Sequence, residues 1–297
     1  MSSHYIILLI SLLAVSSSAP VAKLSTIAAL SLGFWRTGLI GLLLLPFSGK
    51  INQKQAQYVL VSGLFLAFHF WTWFESLHYT TAFRSTLLVC LNPFWVALWE
   101  WRQGTPPQKS FWIGGLCALV GVMFMTLGDT STTMKASLWG DALATIGGML
   151  GAAYFVVGKK AREELDIYRY GSWACLSCAS WLGAIALMTN TSLLPHLEDW
   201  KFLLFMALGP QLCGHIGLNY VLKFVPASFL SLLLLFEPVG AGILAWIFLE
   251  EVLSLSTIMG GGIVILSLSY VMIFSQKPTK QLEKIENDLM NKNSTEW

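Results

Sequence analysis

The residues best suited to chemistry in this chain are polar side chains inside long apolar runs. Glu237 and Pro238 lie in the middle of the run from Phe229 to Glu251. A carboxylate at the centre of a bilayer costs a few kcal/mol unless it is neutralised or hydrated, and proline removes a helical hydrogen bond. The pair therefore predicts a helix that faces a protein-lined, partly wet cavity rather than lipid.

A second pair, Asn92–Pro93, occupies the same setting 145 positions earlier (237 − 92 = 145). The same offset aligns further residues of like type, namely Ala82 with Ala227, Trp101 with Trp246 and Gly115 with Gly260. The offset predicts one unit that is present twice, with a special helix in each copy. We expect Pro93 and Pro238 to give these helices their flexibility.

A lone guanidinium, that of Arg36, lies about halfway along another apolar run, with no obvious route to either membrane surface. An arginine at this depth needs a partner. One interpretation is an internal ion pair or hydrogen bonds to helix carbonyls, which would brace the bundle. The other is an anchor for a substrate carboxylate or phosphate, because the planar guanidinium binds both groups in a bidentate manner.

Two histidines, His69 and His215, fall in runs that correspond between the two halves, one position short of strict equivalence. Each is either a hydrogen-bonded residue of the helix packing or a carrier of a coupling proton, since histidine titrates near neutrality. Gln211 and Asn219 lie four residues before and after His215, so an α-helix would place all three on one face. Such a polar stripe favours a hydrated cavity.

Aromatic residues are dense in the same runs. Trp71, Tyr154 and Phe94 lie deep enough to stack on a planar or cationic ligand, with ordinary packing as the alternative. Glu75 and Arg84 flank a turn, where a local ion pair is favoured over an external gate.

Motifs of enzymes and of metal sites are not found. Cys175-x-x-Cys178 has the spacing of a redox or zinc pair, but it lies in an apolar segment with no second pair nearby, so we interpret it as helix packing. H-E-x-x-H, G-x-S-x-G and acidic metal clusters do not occur. We therefore predict no catalytic residues, no metal, no cofactor and no enzymatic activity.

The composition says which elements must position these residues. Apolar residues make up 55% of the 297 residues, charged residues 11%, and the mean hydropathy is +0.65. These values lie outside the range of soluble domains, so most of the chain must lie in lipid. The sequence predicts an all-α polytopic membrane protein with ten spans, at about 4–22, 27–46, 57–77, 80–101, 111–128, 138–158, 171–190, 200–222, 227–249 and 256–275.

The first span could instead be a secretory signal. Its start lacks Lys and Arg, and Pro20 directly follows the small residues Ser18 and Ala19, so we predict an uncleaved span. The expected units are a first five-span repeat at 1–128, a second at 137–275 and a polar cytoplasmic tail at 276–297.

Basic residues set the orientation. If both termini are cytoplasmic, thirteen of the eighteen Lys and Arg residues fall on the cytoplasmic side. Five spans per unit leave the second unit inverted relative to the first. Inverted repeats usually hold substrate near the midplane and rock around it. The short loops leave no room for a nucleotide-binding domain, and we predict no nucleic-acid partner.

Longer segments resemble a known family. The segments are FWRTG at Arg36, HFWTWFESLHYTTAFRSTLLVCLNPFWVALWEW from His69, GDALATIGGMLGAAYFVVGKKAR at Tyr154, and GHIGLNYVLKFVPASFLSLLLLFEPVGAGILAWIFLEEVLS from Gly214. Over essentially the whole chain they are similar to EamA-type proteins of the drug/metabolite transporter superfamily. The resemblance implies a ten-span carrier of two inverted repeats in a bacterial-type inner membrane. It also implies that spans three, four, eight and nine line the central cavity. The first copy departs from the family pattern, because WEWRQGTP stands where a repeat usually ends in a leucine–glutamate pair such as Leu249–Glu250.

The expected function is alternating-access transport of a small organic solute, most simply export of amino acids or related metabolites, with a proton as the candidate coupling ion. The alternative cargo is an adenosyl or nucleotide-derived metabolite such as S-adenosylmethionine, taken up or exchanged. Two other classes stay open: a membrane enzyme acting on lipid-linked substrates, and a non-transporting structural or receptor protein. A monomer and a homodimer are both compatible with the sequence.

Overall fold

The computed structural model describes residues 3–79, 85, 88–127, 137–249 and 255–274. Within these ranges the regular structure is helical, and no strand occurs. The helices are α1 Ser3–Ser16, α2 Ser18–Leu24, α3 Ala29–Ser48, α4 Gln53–Ser76, α5 Asn92–Arg102, α6 Lys109–Leu127, α7 Leu138–Glu164, α8 Ile167–Met188, α9 Trp200–Met206, α10 Gly217–Leu222, α11 Ala227–Leu233, α12 Glu237–Leu249 and α13 Leu255–Phe274. A π-helical segment, Ala207–Ile216, joins α9 to α10, and 3-10 turns occupy Leu197–Asp199 and Leu234–Phe236.

The chain is a polytopic all-α membrane protein, as predicted. Six helical stretches are long and apolar enough to cross a bilayer, at His4–Ala22, Ala29–Ser48, Gln53–Ser76, Leu138–Glu164, Ile167–Met188 and Leu197–Leu222. Shorter apolar helices run over Lys109–Phe124, Ala227–Ala241 and Ile258–Phe274. These nine match nine of the ten predicted spans in position. The predicted span at 80–101 begins outside the described residues and ends as α5.

Helix boundaries differ from the predicted ones where polar residues extend the helix. α4 begins at Gln53 because Asn52 caps it: the Asn52 side chain accepts from the Gln55 N–H at 2.9 Å, and the Gln55 side chain accepts from the Asn52 N–H at 3.1 Å. α7 continues past residue 158 to Glu164, since its last turns carry Lys159 and Arg162, whose side chains bond to backbone carbonyls nearby.

Contacts between helices of the first half and helices of the second half occur in corresponding pairs. α4 packs on α7 in the way that the π-helical segment and α10 pack on α1. α4 also packs on α8, and the π-helical segment packs on α3. The contact of α5 with α7 corresponds in the same way to that of α12 with α1. Three further contacts join a span to its own counterpart in the other half, namely α3 with α8, α5 with α11 and α6 with α13. The packing therefore has the twofold character that the 145-residue offset indicates.

Small residues allow the closest of these approaches. A Cβ added at Gly114 of α6 would lie 2.1 Å from Val271 Cγ2 of α13, and one at Gly121 would lie 2.8 Å from the Gly260 carbonyl oxygen. Close backbone approach through glycine is typical of helix pairs in lipid, where packing rather than the hydrophobic effect drives association.

Both special helices are interrupted at the predicted positions. In the second half the chain passes from α11 through the 3-10 turn Leu234–Phe236 into α12, which begins at Glu237. In the first half residues 90 and 91 form a turn, and α5 begins at Asn92. Each proline thus lies in the first turn of a new half-helix, where its missing N–H costs little.

Candidate functional site

A cavity lies between the interrupted helices and the helices that pack against them. Its lining comes from α1, α2, α4, α5, α7, the π-helical segment, α10, α11 and α12, together with residues just before α5 and the 3-10 turn before α12. The polar and aromatic members are Ser18, His69, Trp73, Asn92, Tyr154, Phe155, His215, Ser231 and Glu237. The space open to the centres of water molecules is about 50 Å³, which holds a few waters.

The two interrupted helices each contribute their first residue to the cavity. Glu237 opens α12 and lines the wall, half buried. Asn92 opens α5 and lines the wall with Pro93, and its Oδ1 is buried without a hydrogen-bond partner among the described residues. The positive end of a helix stabilises negative charge near it, so the site of Glu237 is compatible with a carboxylate. Pro238, the next residue of α12, is not part of the wall.

The two histidines reach the same cavity in different states. His69 Nδ1 lies 2.8 Å from the Gly147 carbonyl oxygen on α7, and its ring stacks on Trp73 at 5.9 Å between centroids. His215 Nδ1 is buried and has no partner within the described part of the chain. His69 is thus a bonded packing residue, whereas His215 lines the cavity with its Nδ1 unpaired among the described residues.

Asn219 and Tyr154 lie behind His215. The Asn219 amide donates to the Tyr154 hydroxyl at 2.5 Å and to the His215 carbonyl oxygen at 2.6 Å. Tyr154 lines the cavity, but Asn219 does not. Asn219 therefore fixes the position of Tyr154 and of the helix turn that carries His215, rather than facing a solute in this structure.

Arg36 and Gln211 form a buried pair outside the wall. Arg36 is fully buried, and its Nε donates to Gln211 Oε1 at 3.1 Å. Gln211 Nε2 donates to Cys175 Sγ at 3.3 Å. Nη1 and Nη2 of Arg36 have no hydrogen-bond partner in the described ranges. The Phe70 ring centroid lies 4.5 Å from Arg36 Cζ.

Gly151 is the point where two wall residues approach α7. A Cβ built at Gly151 would lie 2.8 Å from Asn92 Nδ2 and 3.0 Å from His69 Nδ1. Glycine at this position therefore lets residues of both α4 and α5 approach the α7 backbone. Any side chain here would displace one of them.

Sequence reasoning identified part of this wall and missed part of it. It named Glu237, His215, His69, Asn92 and Tyr154, which the structure brings together. Trp71 lies elsewhere, 5.7 Å from Phe68 between ring centroids, and is not in the wall. Trp73 takes that place, and its spacing of four residues from His69 was the signal. Cys90, Gly151 and Ser231 carried no signal beyond their small size.

Two predictions depend on residues that the structure does not describe. Arg84, proposed to pair with Glu75, lies outside the described residues, as does Glu250 of the leucine–glutamate motif.

Cys175 and Cys178 are buried free thiols, and no group of three or more metal-binding side chains occurs among the residues described.

Polar contacts close the bundle one helical turn below the cavity. Lys159, four residues after wall residue Phe155, donates from Nζ to the carbonyls of Leu222, Lys223 and Val225 at 2.9, 3.1 and 3.1 Å. Glu100, in the last turn of α5, accepts from the Ser228 N–H at 3.1 Å. These contacts, here termed the basic-end closure, join α5, α7, α10 and α11.

The sequence model of the EamA-like transporter family matches two segments of this chain, residues 2–127 and residues 138–273. The chain belongs to the EamA-like transporter family. Its two matched segments each contain one interrupted helix, so the cavity of this family member is built from both.

Several transporters are similar to this chain. Two uncharacterized transporters of Archaeoglobus fulgidus are 21% identical over 80% of this chain and 84% of their own, and 24% identical over 78% of each. The uncharacterized transporter YdfC of Bacillus subtilis is 25% identical over 57% of this chain and 55% of its own. A solved crystal structure matches with a TM-score of 0.77 at 16% identity, covering 93% of this chain and 99% of that one, which supports the fold alone.

Proposed function

We propose that this protein is a secondary transporter of small organic metabolites, with amino acids or related metabolites exported across the inner membrane as the first choice. The observation that carries the proposal is the cavity between two interrupted helices, with a carboxylate, two histidines, an amide and a phenol in one wall. Polar groups at mid-depth in an otherwise apolar bundle favour a solute path over packing.

The closed basic end supports an alternating mechanism. Lys159 and Glu100 tie four helices together one helical turn beyond the cavity wall. Passage of a solute through this end requires these helices to separate. Such a change fits rocking of two related units around a fixed site.

The roles proposed for the side chains follow from their positions. Glu237 and His215 tune the charge of the cavity or carry a coupling proton, with His69 bonded beside them. Asn92 supplies hydrogen bonds from the wall, while Gln211 and Asn219 support it from behind. Pro93 and Pro238 allow the half-helices to bend at their first turns.

We further propose that both termini are cytoplasmic and that the protein works as a monomer or a homodimer. The distribution of Lys and Arg supports this orientation. A membrane enzyme acting on lipid-linked substrates is disfavoured, since it would need its reactive groups near a headgroup region, whereas Glu237, His69 and His215 lie inside the predicted spans.

Counterflow in proteoliposomes tests the proposal. Vesicles are preloaded with a pool of unlabelled amino acids and given trace labelled amino acids outside, and a second set uses nucleosides and adenosyl compounds. A carrier gives transient accumulation of label above the equilibrium level. Simple equilibration would indicate a channel, and chemical conversion of the labelled compound would indicate an enzyme; either result would overturn the proposal.

A further inference from the structure

The guanidinium of Arg36 is the least satisfied charged group among the described residues. Its side chain is fully buried, and one nitrogen, Nε, has a partner in Gln211. Both terminal nitrogens, which together carry four N–H donors, are buried without partners in the part of the chain that the structure describes. Unmade hydrogen bonds to a buried charge are costly, so this arrangement needs a compensating role.

Phe70 contacts both this guanidinium and the cavity wall. Its ring centroid lies 4.5 Å from Arg36 Cζ. The same centroid lies 5.2 Å from the ring centroid of His215, with an interplanar angle of 78°, and 5.3 Å from that of His69. Both histidines line the cavity, whereas Phe70 is fully buried and does not. One buried aromatic ring therefore contacts both the cation and two residues of the wall.

The cavity wall also carries a carboxylate, that of Glu237, and it forms no ion pair with Arg36. Glu237 lines the wall, yet no carboxylate of the described residues lies within 4.0 Å of Arg36. A cation–π contact with Phe70 offsets only part of the desolvation of a guanidinium. The arrangement holds a half-buried acid of the wall and a fully buried base outside the wall without an ion pair between them.

We propose that Arg36 is the oxyanion-binding residue of this site and that Phe70 covers it. When the Phe70 ring swings aside, Nη1 and Nη2 become available to bind a carboxylate or phosphate group of the solute in a bidentate manner. A solute without such a group gains nothing from this movement. Phe70 thus couples opening of the site to the chemistry of the cargo. This inference rests on the proposed function for its physiological meaning, but its test does not need transport.

The cover is tested by arginine modification of the purified protein with phenylglyoxal, read at Arg36 by peptide mass spectrometry. Wild type is compared with Phe70→Leu, Phe70→Ala and the control Phe74→Ala. Phe74 stacks on Phe70 at 5.8 Å on the same helix. We expect Arg36 modification to rise about tenfold in the Phe70 variants, equivalent to about 1.4 kcal/mol, and much less in Phe74→Ala.

Equal rates at Arg36 in wild type and in the Phe70 variants would overturn the cover. So would an equal rise in Phe74→Ala, because that result would indicate general loosening of the helix. If Phe70→Ala does not fold, Phe70→Leu keeps an apolar side chain of similar volume and gives the same comparison.

The oxyanion is tested by protection in Phe70→Leu. The probes are a mixture of L-α-amino acids, adenosine monophosphate, and the carboxamides of the same amino acids. Binding at Arg36 predicts that the carboxylate or the phosphate probe slows modification several-fold and that the carboxamides do not; which of the two protects names the source of the oxyanion. Protection by neither, or equal protection by the carboxamides, would overturn the assignment.

The two proposals fail separately. If counterflow is absent but modification and protection behave as expected, the binding site stands and transport falls. If counterflow is observed and Arg36→Lys leaves the preference for amino acid over carboxamide unchanged, transport stands and the oxyanion assignment falls.

Discussion

The two interrupted helices share a backbone and differ in chemistry. In both, the half-helix after the interruption begins at the cavity with proline as its second residue, but the first begins at Asn92 and the second at Glu237. The histidines differ in the same sense, since His69 bonds the Gly147 carbonyl and His215 Nδ1 has no partner among the described residues. The duplication thus preserves the backbone geometry, while the carboxylate of Glu237 and the unpaired Nδ1 of His215 lie in the second copy.

Removing the acid from the second copy gives the largest expected effect. Glu237→Gln keeps the shape of the wall but removes the one carboxylate among its described residues. If Glu237 carries the coupling proton, proton-driven transport in proteoliposomes falls on the order of 100-fold, while solute exchange changes little.

The matched control is Asn92→Ser at the equivalent position of the first copy. It removes an amide without changing charge, so driven transport and exchange are expected to fall together. Unchanged driven transport in Glu237→Gln would assign the coupling role elsewhere.

Substitution of the two histidines is expected to affect stability and transport to different degrees. His69→Ala removes the side-chain hydrogen bond to the Gly147 carbonyl, which lowers the free energy of unfolding by about 0.5–1.5 kcal/mol. His215→Ala removes a ring whose Nδ1 is unpaired among the described residues, so its loss of stability is smaller and its effect on transport larger. Unfolding in denaturing detergent mixtures measures the first quantity, and counterflow the second. Equal destabilisation by both changes would remove the distinction between the copies.

Gly151 of the second copy tests whether Asn92 and His69 of the first copy need their close approach to α7. Gly151→Ala places a Cβ 2.8 Å from Asn92 Nδ2 and 3.0 Å from His69 Nδ1, so we expect a loss of about 1–3 kcal/mol of stability together with reduced transport. Gly262→Ala is the control, because a Cβ there meets no described atom within 4 Å. Thermal unfolding of the two variants side by side gives the difference. Wild-type behaviour of Gly151→Ala would show that the wall adapts freely.

The basic-end closure carries the smallest expected effect. Lys159→Met removes hydrogen bonds to three carbonyls at and just after the end of α10, which shifts the balance of closed and open forms by about 1 kcal/mol, or roughly fivefold. Lys160 is the neighbouring exposed lysine, and Lys160→Met is expected to change this balance little. Spin-label distances between the ends of α7 and α11 report the shift. An identical distribution in both variants would exclude Lys159 as a closure residue.

Sequence patterns predicted the repeat and its two interruptions because proline and a charge in an apolar run have few structural explanations. They also placed Glu237, His69 and His215 in one cavity. They could not predict that Phe70 contacts both Arg36 and His215, since these contacts join α3, α4 and the π-helical segment and leave no periodic signal.

The stripe of Gln211, His215 and Asn219 was predicted from α-helical spacing. In the structure this stretch is π-helical around Pro210, which lacks the N–H of a regular helix. Gln211 bonds Arg36, His215 lines the cavity and Asn219 bonds Tyr154, so each has a different neighbour. Spacing alone could not show where the helix widens.

Accessibility of Cys90 tests alternating access most directly, because this natural thiol lines the cavity and is 8% exposed. A membrane-impermeant thiol reagent is applied to right-side-out and to inverted vesicles, and modification is read at the Cys90 peptide. Alternating access predicts modification from both sides, with Lys159→Met increasing it from the cytoplasmic side. Modification from one side only, in wild type and in Lys159→Met alike, would contradict a cavity that opens in turn to each side.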